Sequence, residues 1–323
     1  MLNRRSLLAG LALSAVLAPR TMAEQPYPSR TVKIVIPFPP GTPSTFVIRA
    51  LADRLSEKFK QPFIIENRGG AGGTLGAAAV AAAEPDGYTL LASSPGPLVT
   101  AAAMFKTLNY DPTALVPVAR LFDSPQLLAI HPSLPVSSVE ELVRHAKAHP
   151  RTINFASPGV GTFPHLLGEM LKTSAGIQID HVPYNGPSAA LNDVVAGHVK
   201  MYFETSPLII PLAEAGTLRV LAVAAETRVE RLPNIPTMRE SGYPNVLGSF
   251  WSGLVAPPGT PAHIVTAINA AANEAIRSAE LGDALAKLAA RPQTGTPHEF
   301  GEFIAAETRK WGSVIRSAGI KAP

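Results

Sequence analysis

Three stretches of this chain repeat one local design: a short apolar strand, a turn of small residues, then a helix start. They read TVKIVIPFPPGTPST (31–45), PFIIENRGGAGGTLG (62–76) and INFASPGVGTFPH (153–165). A strand that runs through a Gly/Pro/Ser/Thr turn into a helix leaves several backbone N–H groups unpaired and aimed at one place. Such a place attracts an anion without a charged side chain. Strands and helices alternate through the rest of the chain as well, which predicts parallel sheets covered by helices.

The first 23 residues stand apart. Asn3-Arg4-Arg5 is a basic start, LLAGLALSAVLA (7–18) is an apolar run, and Thr21-Met22-Ala23 offers a small-residue cleavage site. Twelve apolar residues are too few to span a bilayer, so residues 1–23 read as an export signal, twin-arginine or general secretory, and the mature protein as periplasmic. Without that segment the chain carries 25 basic and 24 acidic side chains, so its balance suggests no nucleic-acid partner. Cysteine is absent, which excludes thiol catalysis, disulfides and cysteine-bound metal. Proline is abundant, 32 of 323 residues, and clusters at strand ends and helix starts, where a fixed φ is useful.

Periodicity predicts strands at 32–38, 63–66, 88–92, 153–156, 179–183, 200–204, 218–224 and 249–256, with an extended stretch over 116–130. Helices are predicted over 46–59, 75–83, 97–105, 164–174, 188–196, 207–215, 260–278, 281–289 and 297–318. A further helix, started by Ser137/Ser138 and Glu140/Glu141, ends before Pro150. The chain thus divides into a discontinuous lobe of residues 24–123 plus 249–323 and a second lobe of residues 124–248. Two crossings between lobes make a hinge, and the cleft between lobes becomes a ligand site.

Nine short segments, in order, resemble the substrate-binding proteins of tripartite tricarboxylate transporters, the Bug family. They are PFPPG (37–41), ENRGGAGG (66–73), EPDGYTLL (84–91), HPSLP (131–135), FASPGVGT (155–162), HVPYNG (181–186), LRVLAV (218–223), LPNIPT (232–237) and GLVAPPGTP (253–261). The resemblance implies an α/β type II periplasmic-binding-protein fold, two lobes around a cleft, and capture of a carboxylate for a membrane permease. Carried over by position, it implies Phe38, Pro40, Gly41, Thr42 and Thr45 on one wall, with Ser93 and Ser94 after the third strand. Ser157, Gly159, Gly161, Thr162 and His165 form the opposite wall, joined by Tyr184, Asn185 and Glu204. Thr42 and Thr45 depart from the Gly and Asp usual in that first turn. Loss of the acid at 45 suits a plain mono- or dicarboxylate better than an amino acid. Phe38, Phe46, Phe163, Phe203 and Trp251 leave an aromatic acid open.

Competing readings are weaker. RGGAGG matches no nucleotide loop, and its glycines suit tight packing. No G-x-S-x-G elbow exists for Ser93, Ser94, Ser157 or Ser206, so an exported enzyme acting on a small acid or ester is a distant alternative. His145 and His149 have i, i+4 spacing but no third metal ligand. The reading expects no cofactor, no metal, a monomer, and a permease or a sensor kinase as partner.

Overall fold

The computed structural model describes residues 27–40 and 43–321. The export signal, Gly41 and Thr42 therefore lie outside the described residues. The first unit runs β1 (Val32–Ile36), α1 (Pro43–Phe59), β2 (Phe63–Asn67), α2 (Thr74–Ala81) and β3 (Thr89–Ser93). A wide helical turn at Gly96–Thr100 then continues into α3 (Ala101–Met104). The long strand β4 (Val116–Ile130) follows, then α4 (Val139–Ala148). The second unit is β5 (Asn154–Ser157), α5 (Phe163–Ala175), β6 (Asp180–Pro183), α6 (Pro187–Val195), β7 (Met201–Thr205), α7 (Ser206–Glu214) and β8 (Arg219–Val223). The chain closes with β9 (Ser249–Ala256), α8 (Ala262–Ile276), α9 (Ala279–Lys287), β10 (Arg291–Pro292) and α10 (Pro297–Ser317).

Among the described residues the strands form one sheet in the order β2-β1-β3-β9-β4-β7-β5-β6, with β8 and β10 also on β4. β1, β2 and β3 are parallel, and so are β5, β6 and β7. The crossing strands differ from the all-parallel expectation: β9 is antiparallel to β3 and β4, and β4 is antiparallel to β7 and β8. A strand that leaves one unit and another that returns to it run in opposite directions, so they pair antiparallel. β4 changes partner within one residue. Pro125 faces Ser249 of β9, and Gln126 faces Thr205 of β7.

Helices cover both faces. α1 lays Val47, Ile48, Leu51 and Leu55, spaced at helical intervals, onto one side of the first sheet half with α8 and α9. Across the other side α10 packs Phe300 and Phe303 edge-on against Trp251, at ring separations of 5.8 and 5.3 Å. Further along α10, Trp311 meets Phe163 at the start of α5, 4.5 Å between rings. One helix thus bridges β9 and the second unit, and it starts on a full capping box between Thr296 and Glu299.

Candidate functional site

The register aligns the carboxyl ends of the parallel strands. Ile36 faces Asn67 and Val35 faces Leu91, so the turns after β1, β2 and β3 lie side by side. Asn67 Nδ2 donates to Phe38 O at 3.0 Å, and Arg68 N to Ile36 O at 2.9 Å. A Cβ on Gly73 would stand 2.7 Å from Pro97 and 3.3 Å from the Phe38 ring. The glycines of the second turn therefore serve close packing of three turns. Phe38 is half-buried and Pro40 exposed, whereas Thr45 is buried in α1. Ser93 and Ser94 are buried after β3, where Ser252 Oγ donates to Ser93 O at 3.1 Å.

In the second unit Ser157 faces Pro183, and Ala156 faces Tyr202. The starts of α5, α6 and α7 consequently share one edge of the sheet. Each has proline in its first two positions, and none has a side-chain cap. Ser138, Ser278 and Thr296 cap α4, α9 and α10, whereas α2, α3 and α8 also start without a side-chain cap, so what sets α5, α6 and α7 apart is their shared edge. An uncapped helix start presents free N–H groups and the positive end of the helix dipole. By position these are the N–H groups of Phe163 and His165 in α5, Ser188 and Ala189 in α6, and Ser206 and Leu208 in α7. Three such starts on one edge put N–H donors and positive dipole ends where they can hold an anion.

The turn between β5 and α5 is held from within. The Ser157 hydroxyl lies 2.9 Å from Gly159 O, accepts from Gly159 N at 3.2 Å, and lies 2.6 Å from His181 Nε2. Thr162 Oγ1 donates to Gly159 O at 2.7 Å. Gly161 N donates to His165 Nδ1 at 3.0 Å. His165 is buried beneath the turn and stacks on His181, ring centroids 3.7 Å apart with planes 9° from parallel. Burial first, then for His165 the neighbouring His181, and for both rings nearby Lys172, hold the imidazoles well below the ordinary histidine range, His165 at about 3 and His181 at about 4.

Tyr184 and Asn185 follow β6 beside this turn. Tyr184 N donates to Ser157 O at 2.9 Å, and its hydroxyl donates to Asp193 at 2.6 Å. Asn185 is exposed. Glu204 is buried at the end of β7, accepting from Tyr202 OH and Thr205 N, each at 2.6 Å. Burial pushes its carboxyl up, against the pull of those hydrogen bonds.

Met104 of α3 connects the two sets of turns. A Cβ on Gly161 would lie 2.1 Å from the Met104 sulfur, so the thioether rests on the bare Cα. Neither His181 nor Met104 stood out in the sequence, since each acts through a partner far along the chain. The aromatic residues are less available than their positions suggested. Phe163, Phe203 and Trp251 are core residues, and Phe46 is 65% exposed. Among the described residues no group of three or more His, Cys, Asp or Glu could hold a metal ion. No helix among them is long and apolar enough to cross a membrane.

Known proteins share this architecture. BugT of Bordetella pertussis is 35% identical over 313 residues, covering 96% of this chain and 95% of BugT. The structure of R. palustris Rpa4515 with adipate superposes with a TM-score of 0.80 at 35% identity, covering 91% of this chain and 99% of that one. MatC from Rhodopseudomonas palustris with bound malate gives 0.76 at 33% identity, covering 90% and 100%. Residues 47–320 match the tripartite tricarboxylate transporter family receptor, and the chain belongs to that family, with the type II periplasmic-binding-protein fold.

Proposed function

We propose that this protein is a periplasmic receptor that captures a small carboxylate in a cleft between two lobes and delivers it to the permease of a tripartite tricarboxylate transporter. The observation that carries this reading is the shared edge of three uncapped helix starts, α5, α6 and α7, with Met104, beyond the turn of β3, resting on Gly161 just before α5. A carboxylate held there by two or three N–H donors gains about 1.5–3 kcal/mol per charge-assisted bond. Ordered water supplements such contacts at small entropic cost.

The lobes are residues 24–123 with 249–323, and residues 124–248. The partner change of β4 between Pro125 and Gln126 supports that division. The anion docks on one lobe, the other completes the shell, and the closed form is what the permease reads. The protein acts as a monomer and performs no chemistry. Relatives bound to adipate and to malate support an acid with a short aliphatic chain, and the burial of Phe163, Phe203 and Trp251 favours it over an aromatic one.

A thermal-shift screen of the purified protein against adipate, malate, citrate, benzoate and aspartate tests the reading. Aliphatic di-acids should raise the melting temperature in a concentration-dependent way. A response confined to aspartate, or to none of the five, would reject it.

A further inference from the structure

Two buried imidazoles lie directly behind the proposed anion turn, and their bonds decide which way that turn presents its polar groups. A hydroxyl has one proton and two acceptor sites. The Ser157 proton points to Gly159 O, and Gly159 N–H fills one acceptor site. With the Ser157 proton on Gly159 O, His181 Nε2, 2.6 Å away, is the donor to the remaining site. On the neighbouring ring, Nδ1 of His165 accepts from Gly161 N–H and so carries no proton. In that arrangement both neutral rings are Nε2–H tautomers. Phe155 supports the pair from below, 5.0 Å from His181 and 6.3 Å from His165, in space that Gly168 leaves open under α5.

We propose that His165 and His181 are positioning residues for the ligand turn. Together they draw the Ser157 hydroxyl and the Gly161 N–H inward, leaving the N–H groups at the start of α5 to meet the carboxylate. This rests on the reading of that turn as the carboxylate site. Ser157 then shapes the site without touching the ligand. The charged groups beside the pair are Glu169, 4.0 Å from His165 Nε2, and Lys172, which pairs with Glu169 at 2.8 Å. A second proton affects the two rings unequally. On His181 it leaves the donor to Ser157 in place, whereas on His165 it sets a new Nδ1–H against the Gly161 N–H and expels the turn.

The test compares amide mimics with apolar replacements in the full-length mature protein, using calorimetry with adipate and malate at neutral pH. Asn places an acceptor near the position of Nδ1, and Gln places a donor near that of Nε2. His165→Asn and His181→Gln should stay within about threefold of wild-type affinity, whereas His165→Leu and His181→Leu should lose about tenfold, the worth of one net hydrogen bond. Nitrogen-15 NMR of histidine-labelled protein should show both rings as Nε2–H tautomers. Leucine variants that bind like wild type, or an Nδ1–H tautomer in either ring, would overturn the positioning role alone. A wild-type protein that takes up neither acid defeats the carboxylate reading together with it.

Discussion

The Met104 thioether lies against the Cα of Gly161, so a residue of the first unit closes on the β5–α5 turn of the second at a point where no side chain fits. Gly161 also has φ +77°, a left-handed conformation that glycine adopts without strain. Gly161→Ala should therefore weaken carboxylate binding by about tenfold or more, through both steric overlap and backbone strain of about 1–3 kcal/mol. Met104→Ala in the same chain should recover the steric part only. Calorimetry of the two single variants and the double variant measures the coupling. Purely additive effects would mean that the two residues do not touch in solution.

The stacked histidines predict a stability profile with a defined sign. Their folded-state values, about 3 and about 4, lie below the ordinary 6.5, so between these limits the unfolded chain binds protons that the native one refuses. Their contribution is complete above pH 6.5 and is lost as the pH falls towards 4. Urea unfolding of wild type at a series of pH values should show falling stability across that interval. The slope should be shallower in His165→Asn, which has no imidazole to titrate at that position. Equal slopes in the two proteins would contradict the depressed value at His165.

The order of elements was legible because hydrophobic period and turn chemistry are local. The strand over 249–256 was read to the residue, and β4 was recognised as an extended segment leaving the first unit. Its antiparallel pairing was not, because direction depends on where the chain returns more than a hundred residues later. Two-residue β10 has no period to read and exists only through its partner β4. The turns were legible as turns, but the directions of their polar groups were not. Ser157 is legible as a turn hydroxyl, but its partner His181 lies 24 residues on. Phe163 looks like cleft lining until Trp311 of α10 covers it.

α10 separates stability from binding at its first turn. Thr296 accepts from Glu299 N, and Glu299 in turn accepts from Thr296 N at 2.7 Å. Both residues are exposed. Thr296→Ala should cost about 1 kcal/mol in chemical unfolding, with unchanged affinity for adipate or malate. A loss of affinity would place the cap in the binding equilibrium.

Trp311 lies at the other end of the same helix. Its indole N–H donates to Glu307 at 2.7 Å and its ring packs on Phe163, the first residue of α5. Trp311→Ala should cost about 3–5 kcal/mol in stability, as truncation of a buried aromatic does. The cavity also frees Phe163, so affinity should fall in parallel. Trp311→Phe, which keeps a ring against Phe163 but loses the N–H, should recover most of the affinity. Failure of that recovery would assign the effect to the Glu307 bond rather than to ring packing.

Glu204 carries the opposite pH sign from the histidines. Burial raises its carboxyl above the unfolded value, although Tyr202 and Thr205 N–H both donate to it. A raised carboxyl binds its proton more tightly in the native state than in the unfolded chain, so stability declines as the pH rises above about 4.3, the ordinary Glu value. Glu204→Gln removes the titrating group while keeping an oxygen acceptor for one of the two donors. In unfolding experiments that variant should therefore lack the decline seen in wild type once the histidine contribution, which rises over the same interval, is removed by a His165→Asn, His181→Gln background. An anionic Glu204 would also oppose a nearby carboxylate ligand, so Glu204→Gln should bind adipate at least as tightly as wild type at pH 8. Weaker binding there would mean that the Glu204 carboxylate itself holds a donor of the ligand, and would point to a hydroxy- or amino-acid instead.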